Sequence, residues 1–191
     1  MPLITTLPTW VAVNAADDRS PTGFVDKRTK LPTYGGGLDV GDYFDLTERE
    51  ANDLSDVNVG ILHSGRYRRV QLNADADPGF TEIGMIGYMP LLLTPNVNIV
   101  TSADQGVAGR FVVFLNPITP GNYGFIQEMG VAMVAWSGNP ANPGAAAYIQ
   151  GNRMGSVPPP NAAPVGFLQQ TTSAGEMGLV AVLLNFPVVQ G

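Results

Sequence analysis

From Val57 onward, apolar and polar residues alternate in short runs that end at turn residues, and none of these runs keeps a helical period. The alternation predicts strands at 57–62, 66–72, 81–86, 97–101, 109–115, 122–128, 130–137, 145–150, 164–170 and 177–186. Turn chemistry separates them: Ser64-Gly65, Asp77-Pro78-Gly79, Thr94-Pro95-Asn96, Pro117 to Gly121, Asn139 to Gly144, Pro158 to Pro160, and Ser173 to Gly175. Many short strands at this spacing, with no helical pattern alternating between them, predict an all-β fold, a β-barrel or β-sandwich. At most one short helix is expected, over 47–54. There Thr47-Glu48-Arg49-Glu50 has the capping-box form, with Thr47 as N-cap and Glu50 three residues later.

Residues 1–45 follow another pattern. They are rich in Pro, Thr, Asp and Gly, their aromatics stand apart, and Gly35-Gly36-Gly37 makes a flexible joint. This part reads as an extended N-terminal arm attached to a β-rich domain over 46–191.

Two segments echo one another. Gly65-Arg66-Tyr67-Arg68-Arg69-Val70-Gln71 and Gly121-Asn122-Tyr123-Gly124-Phe125-Ile126-Gln127 both have the form G-x-Y-x-x-[VI]-Q. On a strand, the Tyr and the Gln four residues later share one face, and the Val or Ile takes the other.

Composition sharpens the picture. The 191 residues include 23 Gly and 16 Pro, which leaves few stretches where a helix could run uninterrupted. Charged residues are 14%, against about 25% for an average soluble domain, so part of the surface is suited to meeting other chains. The net charge is −6, and after residue 71 the only cations are Arg110 and Arg153. A nucleic-acid binder needs a basic footprint to displace phosphate counterions, so direct nucleic-acid binding is not expected. No membrane span is expected either: the most apolar stretch, Met177 to Val189, is broken by Gly178, Asn185 and Pro187 and is too short. Met1 to Trp10 lacks the basic start and apolar run of a signal peptide. The chain has no cysteine, which removes disulfides and thiolate metal sites and is compatible with synthesis in a reducing host cytoplasm.

Residues that carry chemistry are scarce. The single histidine, His63, neighbours Ser64, but adjacent strand residues point to opposite faces and make a poor nucleophile–base pair. A two-histidine zinc motif, a G-x-S-x-G elbow and a phosphate loop are all missing. Carboxylates at Asp75, Asp77, Glu82, Asp104, Glu128 and Glu176 could in principle form a glycosidase pair, yet the aromatic lining of a sugar cleft is lacking beyond Trp136. Asn73 to Gly79 superficially resembles a calcium loop, without the Glu at the twelfth position, and reads as an ordinary turn. No catalytic residue, metal site or cofactor is therefore expected, and the chain is read as a structural or binding protein and not an enzyme.

Pro120-Gly121-Asn122-Tyr123-Gly124-Phe125-Ile126-Gln127-Glu128-Met129-Gly130-Val131-Ala132 resembles a pattern of tailed-phage capsid decoration, or cement, proteins: a small turn, G-x-Y-G-[aromatic]-[VI]-Q, then a glycine and an alternating Val/Ala strand. Asn58-Val59-Gly60-Ile61-Leu62 with Gly65-Arg66-Tyr67 resembles the early strand pair of that family. Gly166-Phe167-Leu168 and Leu179 to Leu184 resemble its closing strands. The likeness spans about residues 55–187, while the long arm and Pro158-Pro159-Pro160 depart from it. The resemblance implies a trimeric β-barrel or β-sandwich subunit, seated on the outer surface of a phage head and clamping neighbouring major capsid proteins. Partner contacts are then expected from Trp10, Phe24, Leu31 and Tyr34 in the arm, and from Tyr123, Phe125 and Gln127 on the motif strand. The alternative reading is a receptor- or glycan-binding module of a phage tail fibre, with Trp136 beside Asn139-Pro140-Ala141-Asn142 as its site.

Overall fold

The computed structural model describes residues 41, 43–49, 63–76, 81–90, 96–99, 109–115, 117–160, 162–175 and 177–185. They form ten strands: β1 Tyr43–Leu46, β2 Gly65–Leu72, β3 Ile86–Pro90, β4 Asn96–Ile99, β5 Gly109–Phe114, β6 Tyr123–Ala135, β7 Ala146–Gln150, β8 Arg153–Gly155, β9 Gly166–Leu168 and β10 Leu179–Leu184. The expected all-β class is what the chain adopts. Glu48 and Arg49 have helical backbone after Thr47, and the rest of the predicted helix lies outside the described residues, as does the predicted strand 57–62.

Strand order closes the first half of the sheet on itself. β2 pairs with β4, β4 with β3, β3 with β5, β5 with β6, and β6 returns to β2, with β2–β4 parallel and the other pairs antiparallel. Closure removes the open edges that would otherwise invite another strand. Alternate residues point inward, so Val70 and Leu72 of β2, Val97 of β4, Met89 of β3, Val112 and Phe114 of β5 and Ile126 of β6 form one buried cluster with Met85 and Ile118. Gly87 makes room at its centre. A Cβ there would lie 2.7 Å from the Phe114 ring and 2.8 Å from Val97.

The second half of β6 continues into another layer. β10 pairs with β6, β9 with β10, β7 with β9 and β8 with β7, and a Trp136–Met154 bridge brings β8 back beside the end of β6. The inner side of this layer packs on the outside of the barrel. Ala132, Val134, Trp136, Val180, Val182, Leu168, Ile149 and Met154 meet Ile86, Tyr88, Phe111 and Val113. β6 is therefore a spine shared by two cores.

A bulge lets one strand serve both. Pairing with β2 shifts between Arg66↔Met129 and Tyr67↔Gln127, leaving Glu128 as the extra residue. Before the shift, the odd-numbered residue Gln127 faces the same side as Val113 of β5; after it, the even-numbered Ala132 and Val134 face that core. Gly130, two residues on, has φ +92°. The Gln127 amide holds the bend, donating through Nε2 to Met129 O at 3.1 Å and to Val131 O at 2.8 Å. Gln127→Leu keeps the volume and removes both donors. It is expected to cost about 2 kcal/mol, because each buried carbonyl left unpaired is worth about 1–3 kcal/mol. A urea titration checks this.

Several sequence expectations are corrected here. The strands expected at 122–128 and 130–137 are one strand of 13 residues. The strand expected at 81–86 begins only at Ile86, because Gly84 turns the chain at φ +80° and Thr81 is tied to Ile118, accepting its N–H at 2.7 Å. β1 and β8 were not anticipated. β1 lies against β2, its Tyr43, Phe44, Asp45 and Leu46 pairing with Arg68, Tyr67, Arg66 and Gly65.

Candidate partner-binding surface

The two echoing segments lie side by side. In the β2–β6 ladder Tyr67 is opposite Gln127, Arg69 opposite Phe125, and Gln71 opposite Tyr123. Each Tyr of one copy thus faces the Gln of the other, about a local two-fold between Arg69 and Phe125. Tyr and Gln share the barrel's outer side as expected, and Val70 and Ile126 point inside. The two glutamines do local work. Gln71 Nε2 donates to Gly121 O at 2.8 Å, and Gln127 holds the bulge. Arg69 sits over the Tyr123 ring at 5.5 Å.

Of the residues expected to meet a partner, Phe125 and Gln127 are each 2% exposed in the chain, and Tyr123 is half-buried. Trp10, Phe24, Leu31 and Tyr34 lie outside the described residues. Tyr67 is buried as well, its hydroxyl donating to His63 O at 2.5 Å, and burial pushes its phenol well above the ordinary tyrosine value.

One end of the barrel interior is polar. Arg68 and Arg110 sit on the inward faces of β2 and β5 with Val70 and Val112, and Glu128 sits on that of β6 with Ile126. Arg68 approaches Glu128 through two nitrogens, Nε to Oε1 at 2.5 Å and Nη2 to Oε2 at 3.5 Å, and Arg110 stands 3.8 Å from the second oxygen. Tyr43 of β1 lies beneath the guanidinium groups of Arg66 and Arg68, at 4.8 Å and 5.9 Å. Arg66 closes the group with a two-pronged bond to Asp45, 2.8 Å and 3.1 Å. That bond holds the Asp45 carboxyl below its ordinary value of 3.8.

A folded carboxyl below its unfolded value stabilises the fold fully above the unfolded value, and the gain disappears as pH falls through the folded one. Because the Asp45 side chain is 59% exposed, solvent screens the pair, and Asp45→Asn is expected to cost only about 0.5 kcal/mol at neutral pH. The cost should vanish below the acid transition and shrink in salt. Urea midpoints at pH 7 and in acid, with and without 1 M salt, check it.

No protein-family model matches the chain, and neither does any curated protein. The chain is similar to the head fiber gp8.5 N base of bacteriophage phi29, with a TM-score of 0.42 and 9% identity over 62% of this chain and 92% of that one. The barrel and the second layer rest on their own strand pairings.

The remaining sequence candidates have local structural roles. Trp136 is fully buried and donates through Nε1 to Asn139 O at 2.7 Å, so its ring offers no platform for a sugar. Asp75 N donates to the Asn73 side chain at 3.3 Å, the geometry of an Asx turn; Asp77, Asp104 and Glu176 lie outside the described residues. Glu82 is exposed and lies 3.8 Å from Arg153. Among the described residues, no three His, Asp or Glu side chains are grouped to hold a metal ion, and no helix is long and apolar enough to cross a membrane.

What the sequence reading missed is on the outer side of the second layer. Leu179, Leu183, Phe167 and Met177 are 40%, 41%, 39% and 70% exposed there. The signal was present in Leu179-Val180-Ala181-Val182-Leu183-Leu184, a run apolar at every position. Such a run asks for burial on both faces of a strand.

Proposed function

We propose that this chain is a phage virion structural protein that decorates the outer surface of the head, as a homotrimer, and stabilises contacts between major capsid proteins. It acts by surface burial and not by catalysis. The observation that carries this reading is the resemblance over Pro120 to Ala132, a segment that holds a turn, the bulge and the bend of β6. Gly121 makes the turn into β6, Gln127 staples the bulge, and Gly130 bends the shared spine. A pattern kept for architecture is what a protein working through shape would carry.

The physics of the chain supports the same role. Its acidic balance and low charge suit contact with protein and not with packaged nucleic acid. A cyclic trimer matches the local threefold positions of an icosahedral shell. The residues before β1 could add main-chain contacts to a partner's sheet edge, at an ordering cost that requires a large buried surface.

The test mixes the purified chain with heads assembled without it. Co-sedimentation, added density on the shell exterior and greater resistance of the head to heat are expected. A chain that stays in the supernatant at micromolar concentrations, or that turns over a substrate in a way one substitution abolishes, overturns the reading.

A further inference from the structure

We propose that the outer face of the second layer is where copies of this chain meet one another. The proposal deepens the trimer reading above and rests on it for the number of copies. The face is defined by register. Val131 of β6 is opposite Leu183 of β10, Leu183 is opposite Phe167 of β9, and Phe167 is opposite Ala146 of β7. One apolar row thus crosses four strands, about 15 Å at the usual strand spacing. A second line runs along β10, where Leu179, Ala181 and Leu183 point outward and Met177 continues the line. Met133 is opposite Ala181 and fills the angle between the two lines.

Three observations select a second copy as the occupant. The inner residues of the same strands, Val180, Val182, Leu184 and Leu168, are already buried in the core. The outer residues are of the same type, and two large ones, Leu183 and Phe167, sit side by side at 41% and 39% exposure, a placement suited to burial under another surface.

Charge is the second selector. The outward positions of β7, β9, β10 and the second half of β6 are Ala146, Tyr148, Gln150, Phe167, Leu179, Ala181, Leu183, Val131 and Met133, with no Asp, Glu, Lys or Arg among them. At the β8 end of the sheet, Arg153 is paired with Glu82. Copies of a chain with net charge −6 repel one another, and around a rotation axis like side chains come together. An uncharged face is where they can approach without that repulsion.

Area is the third. Four strands of about five residues present a footprint of roughly 300 Å², against the ~800 Å² per partner of a standard two-body interface. A face of that size falls short for a flat pair of subunits. It suits a core around an axis, where each copy lays the same face against two neighbours and their flanks add the rest.

The experiment measures the mass of the full chain by light scattering and sedimentation. The wild type is expected at about three times the 20.2 kDa of one chain. Leu183→Glu and Phe167→Glu are expected to give single chains with the wild-type far-UV spectrum and a cooperative melt at or below the wild-type temperature, their association weakened at least about 100-fold. Tyr43→Glu, at an exposed position on β1 and away from these four strands, should keep the wild-type mass. Because the chain has no cysteine, Leu183→Cys gives a second reading: oxidation should link two chains, and Tyr43→Cys should not.

The outcomes separate this proposal from the one before it. A wild type that binds heads but stays a single chain at ~50 µM overturns the copy–copy face alone, as does a Leu183→Glu, Phe167→Glu double variant that keeps the full mass. A multimer dissolved by Leu183→Glu that never binds heads supports the face and overturns the capsid reading. A single-chain wild type whose head binding is lost in Leu183→Glu assigns the face to the shell protein, against the proposal.

Discussion

Gly130→Ala is expected to lower the free energy of unfolding by about 2–5 kcal/mol, a large share of the 5–15 kcal/mol that holds an ordinary domain folded. Two costs add. The residue has φ +92°, a conformation in which a side chain costs about 1–2 kcal/mol. The new methyl would also lie 2.1 Å from Ser64 O and 2.7 Å from Gly65 Cα, both main-chain atoms that cannot swing aside. Overpacking against fixed backbone typically costs a further 1–3 kcal/mol.

The opposite residue of the ladder offers no escape, since a Cβ on Gly65 would meet Met129 O at 2.2 Å. Two glycines therefore face each other where β2 begins and β6 bends, and neither strand can retreat without opening the barrel seam. Gly121→Ala is the control. Its φ is +82°, but no atom lies within 4 Å of the added methyl, so only the conformational cost of about 1 kcal/mol should appear. The difference between the two urea midpoints isolates the close approach. Equal losses would mean that the seam is slack and that the bend is not fixed by contact at Gly130.

The same residue shows what the sequence made legible and what it did not. Alternation and turn residues located β4, β5, β7 and β10 to within a few positions, because each is short, apolar on one side at least, and bounded by Gly or Pro. Gly130 read as a break between two strands. In the fold it marks a bulge inside one strand, and only pairing with β2 distinguishes these cases. β8 had a local signal that was passed over: Gly151-Asn152 between Gln150 and Arg153 is a two-residue hairpin loop, and those flanking residues pair. β1 had no comparable signal, since its four residues become a strand by lying against β2.

The echo between Gly65–Gln71 and Gly121–Gln127 was visible, but its meaning was not. Sequence comparison cannot tell that two similar segments are neighbours, let alone that the Tyr of each is opposite the Gln of the other. For the same reason the sequence did not show that Phe125 and Gln127 are used internally, nor that Leu183 and Phe167 on the closing strands are exposed. An apolar residue on a strand announces that it seeks cover. Whether the cover comes from its own chain is decided by strand order, which is a property of the whole sheet.

Glu128→Ala is the second large effect, expected at about 3–5 kcal/mol. The Glu128 carboxylate is 5% exposed and is approached by Arg68 at 2.5 Å, and Arg68 itself is only 22% exposed. Removing the acid leaves a guanidinium inside the barrel mouth with its charge uncompensated, a penalty larger than the attraction that was lost. Arg110 adds little, because its side chain is 45% exposed and can turn to water. The pair is expected to cost more when broken than when absent. Arg68→Met with Glu128→Leu should therefore return to within about 1 kcal/mol of the wild type, the two inward positions then extending the Val70, Leu72 and Ile126 cluster toward the mouth. Urea unfolding of the wild type, Arg68→Met, Glu128→Leu and the double variant gives the coupling directly, and about 2 kcal/mol or more is expected. If Glu128→Ala costs less than 1 kcal/mol, the mouth is open to water and the ion pair behaves as a surface one. The double variant also separates architecture from attachment. With the fold restored and the mouth made apolar, unchanged mass and unchanged head binding would leave the uncharged outer face of the second layer, and not the charged end of the barrel, as the surface through which the chain assembles.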